Sequence, residues 1–185
     1  IQLRGARPRA AGGAAARLDK YERSYYFQPI MNAASPSKGE LTRQAILEHA
    51  ARMATRVGLE GLTIGSLADE LELSKSGLFA HFNSKEALQL QVLEYGIARF
   101  VDTVIRPGLA APRGEKRVKA LFERWLEWPK SSGMAGCLFV ALATELDDQP
   151  GPVRERLVRS QKEWLELIAT AVRTGVTEGD FRRDL

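Results

Sequence analysis

The sequence predicts an all-α protein, in which a three-helix N-terminal headpiece built on a helix-turn-helix is joined by one long helix to a second helical region. Three observations carry this reading. Apolar residues recur at three- and four-residue spacing along most of the chain after Ser37, and strand-like alternation is absent. Glycine and proline cluster between the periodic stretches. Two short segments, each opened by a capping hydroxyl (Thr63 and Ser74), meet at a tight turn.

Residues 1–36 are rich in Ala, Gly, Arg and Pro and show no apolar period. Three readings stay open for them: a basic DNA-contacting arm, a disordered leader, or a mis-assigned upstream start, with Met31 as the true first residue. Ser37-x-x-Glu40 is a capping box. The helix it opens is expected to reach Val57, with Leu41, Ala45, Ile46, Ala50, Met53 and Val57 as its apolar stripe and Gly58 as its end. Thr63 caps a helix to Leu71, and Ser74 caps another to Phe82. Three helices in so few residues make a headpiece too thin to be very stable alone.

A helix opened by Ser84 is expected to continue past Phe100 to Ile105, where Pro107 ends it. Further helices are expected over Glu115–Trp128, Cys137–Leu146 and Pro152–Val176. The breakers are Pro112 to Gly114, Pro129 to Gly136 and Asp147 to Gly151. The Cys137–Thr144 segment is apolar all round and is expected to be buried on every side, with one face free for a cavity or a partner subunit. The last helix carries a wide stripe, from Leu157 through Trp164, Leu165 and Ile168 to Val172.

Composition excludes several classes. At 185 residues, 44% hydrophobic and 27% charged, the chain suits a soluble globular protein with one core or two small ones. No apolar run approaches the roughly 20 residues of a membrane span. The single Cys137 rules out an internal disulfide and fits a reducing cytosol. The net charge of +4 resides in residues 1–31, and the remainder is neutral, so bulk charge does not argue for nucleic-acid binding. Local placement does. Between Leu73 and Lys85 there are two lysines and a histidine and no acid, whereas Asp69, Glu70 and Glu72 lie just before. A helix as short as Ser74–Phe82 is not there for its own stability; its small, polar and basic outer face is meant to touch something.

The run L-A-D-E-L-E-L-S-K-S-G-L-F-A-H-F-N-S-K-E-A-L resembles the DNA-binding signature of TetR-type transcriptional regulators. The resemblance runs from about Leu41 to Leu90, and beyond that it is one of helix pattern only. Glu72 departs from it, standing where helix-turn-helix proteins often carry Gly. Either this turn is built with φ < 0 or it carries strain.

The resemblance implies a homodimeric regulator, more often a repressor, that reads a palindromic DNA operator and responds to a small effector. The DNA-binding headpiece would then be residues 37–83, and residues 84–185 would form the effector-binding and dimerisation domain. A further helix is expected after Leu185. Lys75, Ser76 and Phe79 are the expected contacts to base edges and thymine methyls, with Gly77 counted in the same DNA-binding set; Phe79 stands where the family usually shows Tyr. Thr63, Ser74, His81 and Lys85 are the expected phosphate contacts, while Phe82 belongs to the core. Trp125, Trp128, Met134, Cys137, Phe139 and Trp164 are candidate walls of a pocket for an apolar or aromatic effector, although each taken singly also suits an ordinary core.

Catalysis finds no support in the residues. His49 and His81 have no acid at metal-ligand spacing, Cys137 has no basic neighbour, and no phosphate loop or nucleophile elbow is present. No metal or cofactor is expected. A helical protein-interaction adaptor is the alternative. A cytoplasmic location follows from the regulator reading.

Overall fold

The computed structural model describes residues 37–131, 133 and 136–184. The three readings of residues 1–36, and Met134 among the pocket candidates, lie outside the described residues. Every regular element among the described residues is a helix.

Helix α1 spans Lys38–Val57, and its capping box forms as read: the Ser37 hydroxyl accepts from the Glu40 N–H, and the Glu40 carboxylate accepts from the Ser37 N–H. Those bonds hold the Glu40 carboxyl below the usual carboxylate range. Its buried face is Ile46, Ala50, Ala51, Met53 and Ala54. Leu41, Ala45 and Val57, expected in the stripe, are exposed because they lie before or after that buried stretch, which runs from Ile46 to Ala54.

Helix α2 spans Ile64–Leu71 and α3 spans Lys75–Phe82. Thr63 and Ser66 cap α2 reciprocally through side chain and backbone, at 3.0 Å each way. The turn between them is closed by Glu72 in the left-handed region, at φ 54° and ψ 35°, and the Leu73 N–H bonds back to the Ala68 carbonyl. The question left open at this position therefore resolves to a non-glycine residue held in a glycine-favouring conformation, a local cost of about 1–2 kcal/mol.

Helix α4 spans Lys85–Phe100, capped by the Ser84 hydroxyl. It does not stop at Pro107. A π-helical segment over Val101–Ile105 leads into α5, Arg106–Leu109, which contains the proline near its start. The Arg106 N–H bonds to the Val101 carbonyl, five residues back. This wider turn hands over to a new first turn, where a proline needs no N–H partner.

Helix α6 covers Glu115–Ser131 and includes Pro129, which was expected to break it. The proline falls two residues from the end, so the helix forfeits little hydrogen bonding. Helix α7, Leu138–Glu145, is not buried on every side as expected: Leu138 and Leu142 are buried, whereas Val140 is 64% exposed. Helix α8, Pro152–Glu178, buries Val153, Leu157, Leu167 and Ala171 and leaves Leu165 exposed.

Two apolar clusters result. One joins the headpiece residues Leu59, Leu62, Leu67, Leu78 and Phe82 to Leu88 and Val92 of α4, Leu138 and Leu142 of α7, and Leu157 of α8. The thin headpiece thus borrows its core from helices that belong to the rest of the chain. Gly96 of α4 allows this, because a side chain there would begin 2.6 Å from the Leu138 methyl. The other cluster gathers Phe100, Val104, Ile105, Leu121, Trp128 and Leu167.

Candidate nucleic-acid surface and ligand cavity

The sequence places apolar residues of α3 on one side, and the structure sorts them accordingly. Leu78 and Phe82 are buried, while Lys75, Ser76, Gly77 and Phe79 face outward. Phe79 is 55% exposed, an unusual position for a large ring with no partner on its own chain's core. The Ser74 hydroxyl accepts from the Gly77 N–H at 3.1 Å, so it caps the helix first. The Lys75 ammonium lies over the first turn of α2, 3.9 Å from where a side chain on Gly65 would begin. That brings a cation beside Thr63 and the N-terminal N–H groups of α2, a combination suited to a phosphate oxygen.

Two other predicted contacts have partners within the chain. His81 is half-buried, with its ring centroid 6.1 Å from that of Phe82. The Lys85 ammonium sits 2.8 Å from a Glu60 carboxylate oxygen. Hydrogen bonds from Lys85, then Gln89, hold the Glu60 carboxyl below its ordinary value. His49 lies 3.5 Å from Glu70 on the far side of α1. No cluster of His, Cys, Asp or Glu among the described residues is arranged to hold a metal ion.

A cavity of about 720 Å³ opens between α4, the π-helical segment, α6, α7 and α8. Trp125, Cys137, Phe139 and Trp164 line it, as the sequence suggested. Trp128 does not. It is 1% exposed and lies behind the wall, packed edge-on against Phe100 with ring centroids 5.4 Å apart. Phe100 itself forms the floor and meets Trp164 edge-on at 5.1 Å. Residues that sequence reasoning missed supply its polar lining: Thr144, Asp147, Arg156, Ser160, Gln161 and Glu163. Arg156 is held by Glu94, which is not part of the lining, at 2.6 and 3.1 Å.

The cavity and the helix-turn-helix headpiece are physically joined. Glu145, at the end of α7, accepts hydrogen bonds from the backbone N–H groups of Leu59 at 2.8 Å and Glu60 at 2.6 Å. Gln89 of α4 donates to the Leu59 carbonyl at 2.7 Å, closing the same loop from the other side. Gly58 has φ 76° and no room for a side chain, since one would begin within 2.8 Å of the Glu145 carboxylate. Neither Glu145 nor Gln89 carries a signature in the sequence, because each acts across a long separation in the chain.

No helix among the described residues is long and apolar enough to cross a membrane. Residues 46–92 match the family described as bacterial regulatory proteins, tetR family, and residues 114–185 match the tetracyclin repressor-like C-terminal domain. The transcriptional repressor DhaR of Mycobacterium sp. strain GP1 is 25% identical over 146 residues, covering 77% of this chain and 71% of DhaR. The repressor AcnR of Corynebacterium efficiens is 37% identical over 79 residues, which cover 43% of this chain and 42% of AcnR. The crystal structure of a TetR transcriptional regulator from Chloroflexus aurantiacus superposes with a TM-score of 0.72 at 27% identity, over 80% of this chain and 75% of that one. With a family match at the helix-turn-helix, another across the C-terminal helices and a shared fold between them, the chain belongs to the TetR family of transcriptional regulators.

Proposed function

We propose that this chain is a ligand-responsive repressor that binds a palindromic operator as a homodimer and releases it when a small apolar or aromatic effector fills the cavity. Residues 37–83 serve as the DNA-binding unit, and residues 84–185 hold the effector and the partner subunit. The observation that carries this is the division of α3: its apolar side is buried in the headpiece core, while Lys75, Ser76 and Phe79 are exposed within a run, Leu73 to Lys85, that contains no acid. A helix of this size enters the major groove, and two related by a two-fold axis read half-sites about one turn, roughly 34–36 Å, apart.

In this reading Lys75, Ser76 and Phe79 meet base edges or thymine methyls. Thr63, Ser74 and the first N–H groups of α2 and α4 meet phosphates, as do His81 and Lys85, the latter once it exchanges Glu60 for a phosphate oxygen. Lys75 has a second role available, because its ammonium already lies beside the α2 N-terminus.

Release follows from differential binding. An effector acts only if it fits one arrangement of the two headpieces better than the other, and a coupling of about 1–3 kcal/mol is typical. Two routes lead from cavity to headpiece: α4, which carries Ile97 and Phe100 into the cavity wall, and α7, which carries Phe139 and Val140 there and Glu145 onto the headpiece loop.

The family is one of DNA-binding regulators, and we read the chain as having no catalysis of its own and acting in the cytoplasm. No observation favours the adaptor alternative. Selection of bound sites from random duplexes, followed by a salt titration, tests the reading. A repressor yields a palindrome and a steep fall of affinity with salt; an adaptor yields neither.

A further inference from the structure

The charge around the cavity says what kind of molecule it accepts. Three formally charged side chains line it: Asp147, Glu163 and Arg156. The one cation among them is already engaged. Arg156 is 19% exposed, its Nε and Nη2 donate to the two oxygens of Glu94, and its Nη1 lies 3.9 Å from Glu163. Two carboxylates, Glu94 and Glu163, flank the one guanidinium, and Asp147 adds a further carboxylate to the lining, so the charged groups at the cavity are net negative. The lining also includes the rings of Trp125, Phe139 and Trp164. Aromatic faces attract cations through their quadrupole, most strongly where water is displaced. An anionic head group would meet two carboxylates and an arginine already bound through Nε and Nη2 by Glu94, with only its Nη1 lacking a hydrogen bond.

We propose that the cavity selects lipophilic cations, molecules with a positive charge on an apolar or aromatic body, with Glu163 and Asp147 as the charge-selecting residues. This rests on the reading of the cavity as the effector site and narrows it to a chemical class. A volume of about 720 Å³ accommodates a body of several rings.

The test uses two probes of nearly the same shape and opposite charge, tetraphenylphosphonium and tetraphenylborate, titrated into the full chain by calorimetry at fixed ionic strength. The phosphonium is expected to bind about tenfold tighter or more. Neutralising both carboxylates, Glu163→Gln with Asp147→Asn, is expected to bring the two affinities within about threefold. Both positions are substantially exposed, so the variant keeps the fold, as its melting curve checks. Val140→Trp, which fills the mouth, is expected to weaken both probes. Equal binding of the two ions by the unaltered chain, or tighter borate binding, overturns the charge selection; weakening of both by Val140→Trp then leaves the effector cavity standing. A phosphonium preference that survives neutralisation overturns the assignment to Glu163 and Asp147. Binding of neither ion overturns both this inference and the effector reading beneath it.

Discussion

Glu145 and Leu59 are 86 residues apart in the chain, yet the carboxylate of one accepts the backbone N–H of the other at 2.8 Å. The bond ties the last turn of the cavity-lining α7 to the loop between α1 and α2. Replacing Glu145 by Gln removes the charge and turns an amide group toward two N–H donors. Urea denaturation is expected to show a loss of about 1–2 kcal/mol, since one of those donors is part-buried and the other reaches water. The same variant should bind operator with an affinity that responds less to any ligand of the cavity. Full retention of both stability and ligand response would remove Glu145 from the coupling route.

Glu72 closes the α2–α3 turn at φ 54°. Replacing it by Gly removes a left-handed penalty of about 1–2 kcal/mol and adds chain entropy worth about 0.5–1 kcal/mol to the unfolded state. The net expectation is a gain of about 0.5–1 kcal/mol in urea denaturation. A loss would mean that the Glu72 side chain makes a contribution its exposure conceals.

This turn also marks what the sequence tells and what it does not. The α2–α3 pair, both hydroxyl caps and the buried positions Leu67, Leu78 and Phe82 were legible, because capping and helical spacing are local. The sign of φ at Glu72 was not, since residue type states a preference and the Leu73-to-Ala68 hydrogen bond overrides it. Pro107 and Pro129 were read as stops. One sits beyond a π-helical turn and the other close to a helix end, and neither register can be counted from composition. In the cavity, the aromatic walls Phe139 and Trp164 were legible as types. Trp128 was misplaced because a tryptophan behind a wall and one in it have the same helical spacing. Arg156 and Glu145 went unread because only the packing of distant helices gives them partners, and Glu163 because only that packing puts its side chain on a cavity.

Glu60 carries a pH prediction. Its carboxyl is held below its ordinary range, first by the hydrogen bond from Lys85 and then by that from Gln89. A lowered folded-state value contributes stability above the unfolded pKa, about 4.3, and loses it as pH falls through the folded value. Glu60→Gln should therefore flatten the acid limb of the stability curve below about pH 4.5. Because the pair is largely exposed, the effect on stability is small. The variant also frees Lys85. If Lys85 meets phosphate, Glu60→Gln binds operator more tightly at low salt, and Lys85→Met lowers the salt slope by about 0.9 for the lost contact.

Phe79 and Phe82 lie three positions apart on one short helix and should behave oppositely. Phe82→Ala empties a fully buried site and is expected to cost about 3–5 kcal/mol of stability. Phe79→Ala removes a ring already 55% exposed and should leave the melting curve nearly unchanged while weakening operator binding. Parallel melting and anisotropy titrations separate the two, and equal effects on stability would contradict the orientation of α3.

The most direct measurement of the central claim is a fluorescence anisotropy titration of the chain and of Lys75→Ala against the palindrome obtained by site selection, at one fixed salt concentration. If the outward face of α3 reads the operator, Lys75→Ala loses about 1–3 kcal/mol of binding, roughly 5- to 150-fold, with its stability intact. Equal affinity of the two proteins for the selected site, or the failure of any sequence to be selected, would contradict it.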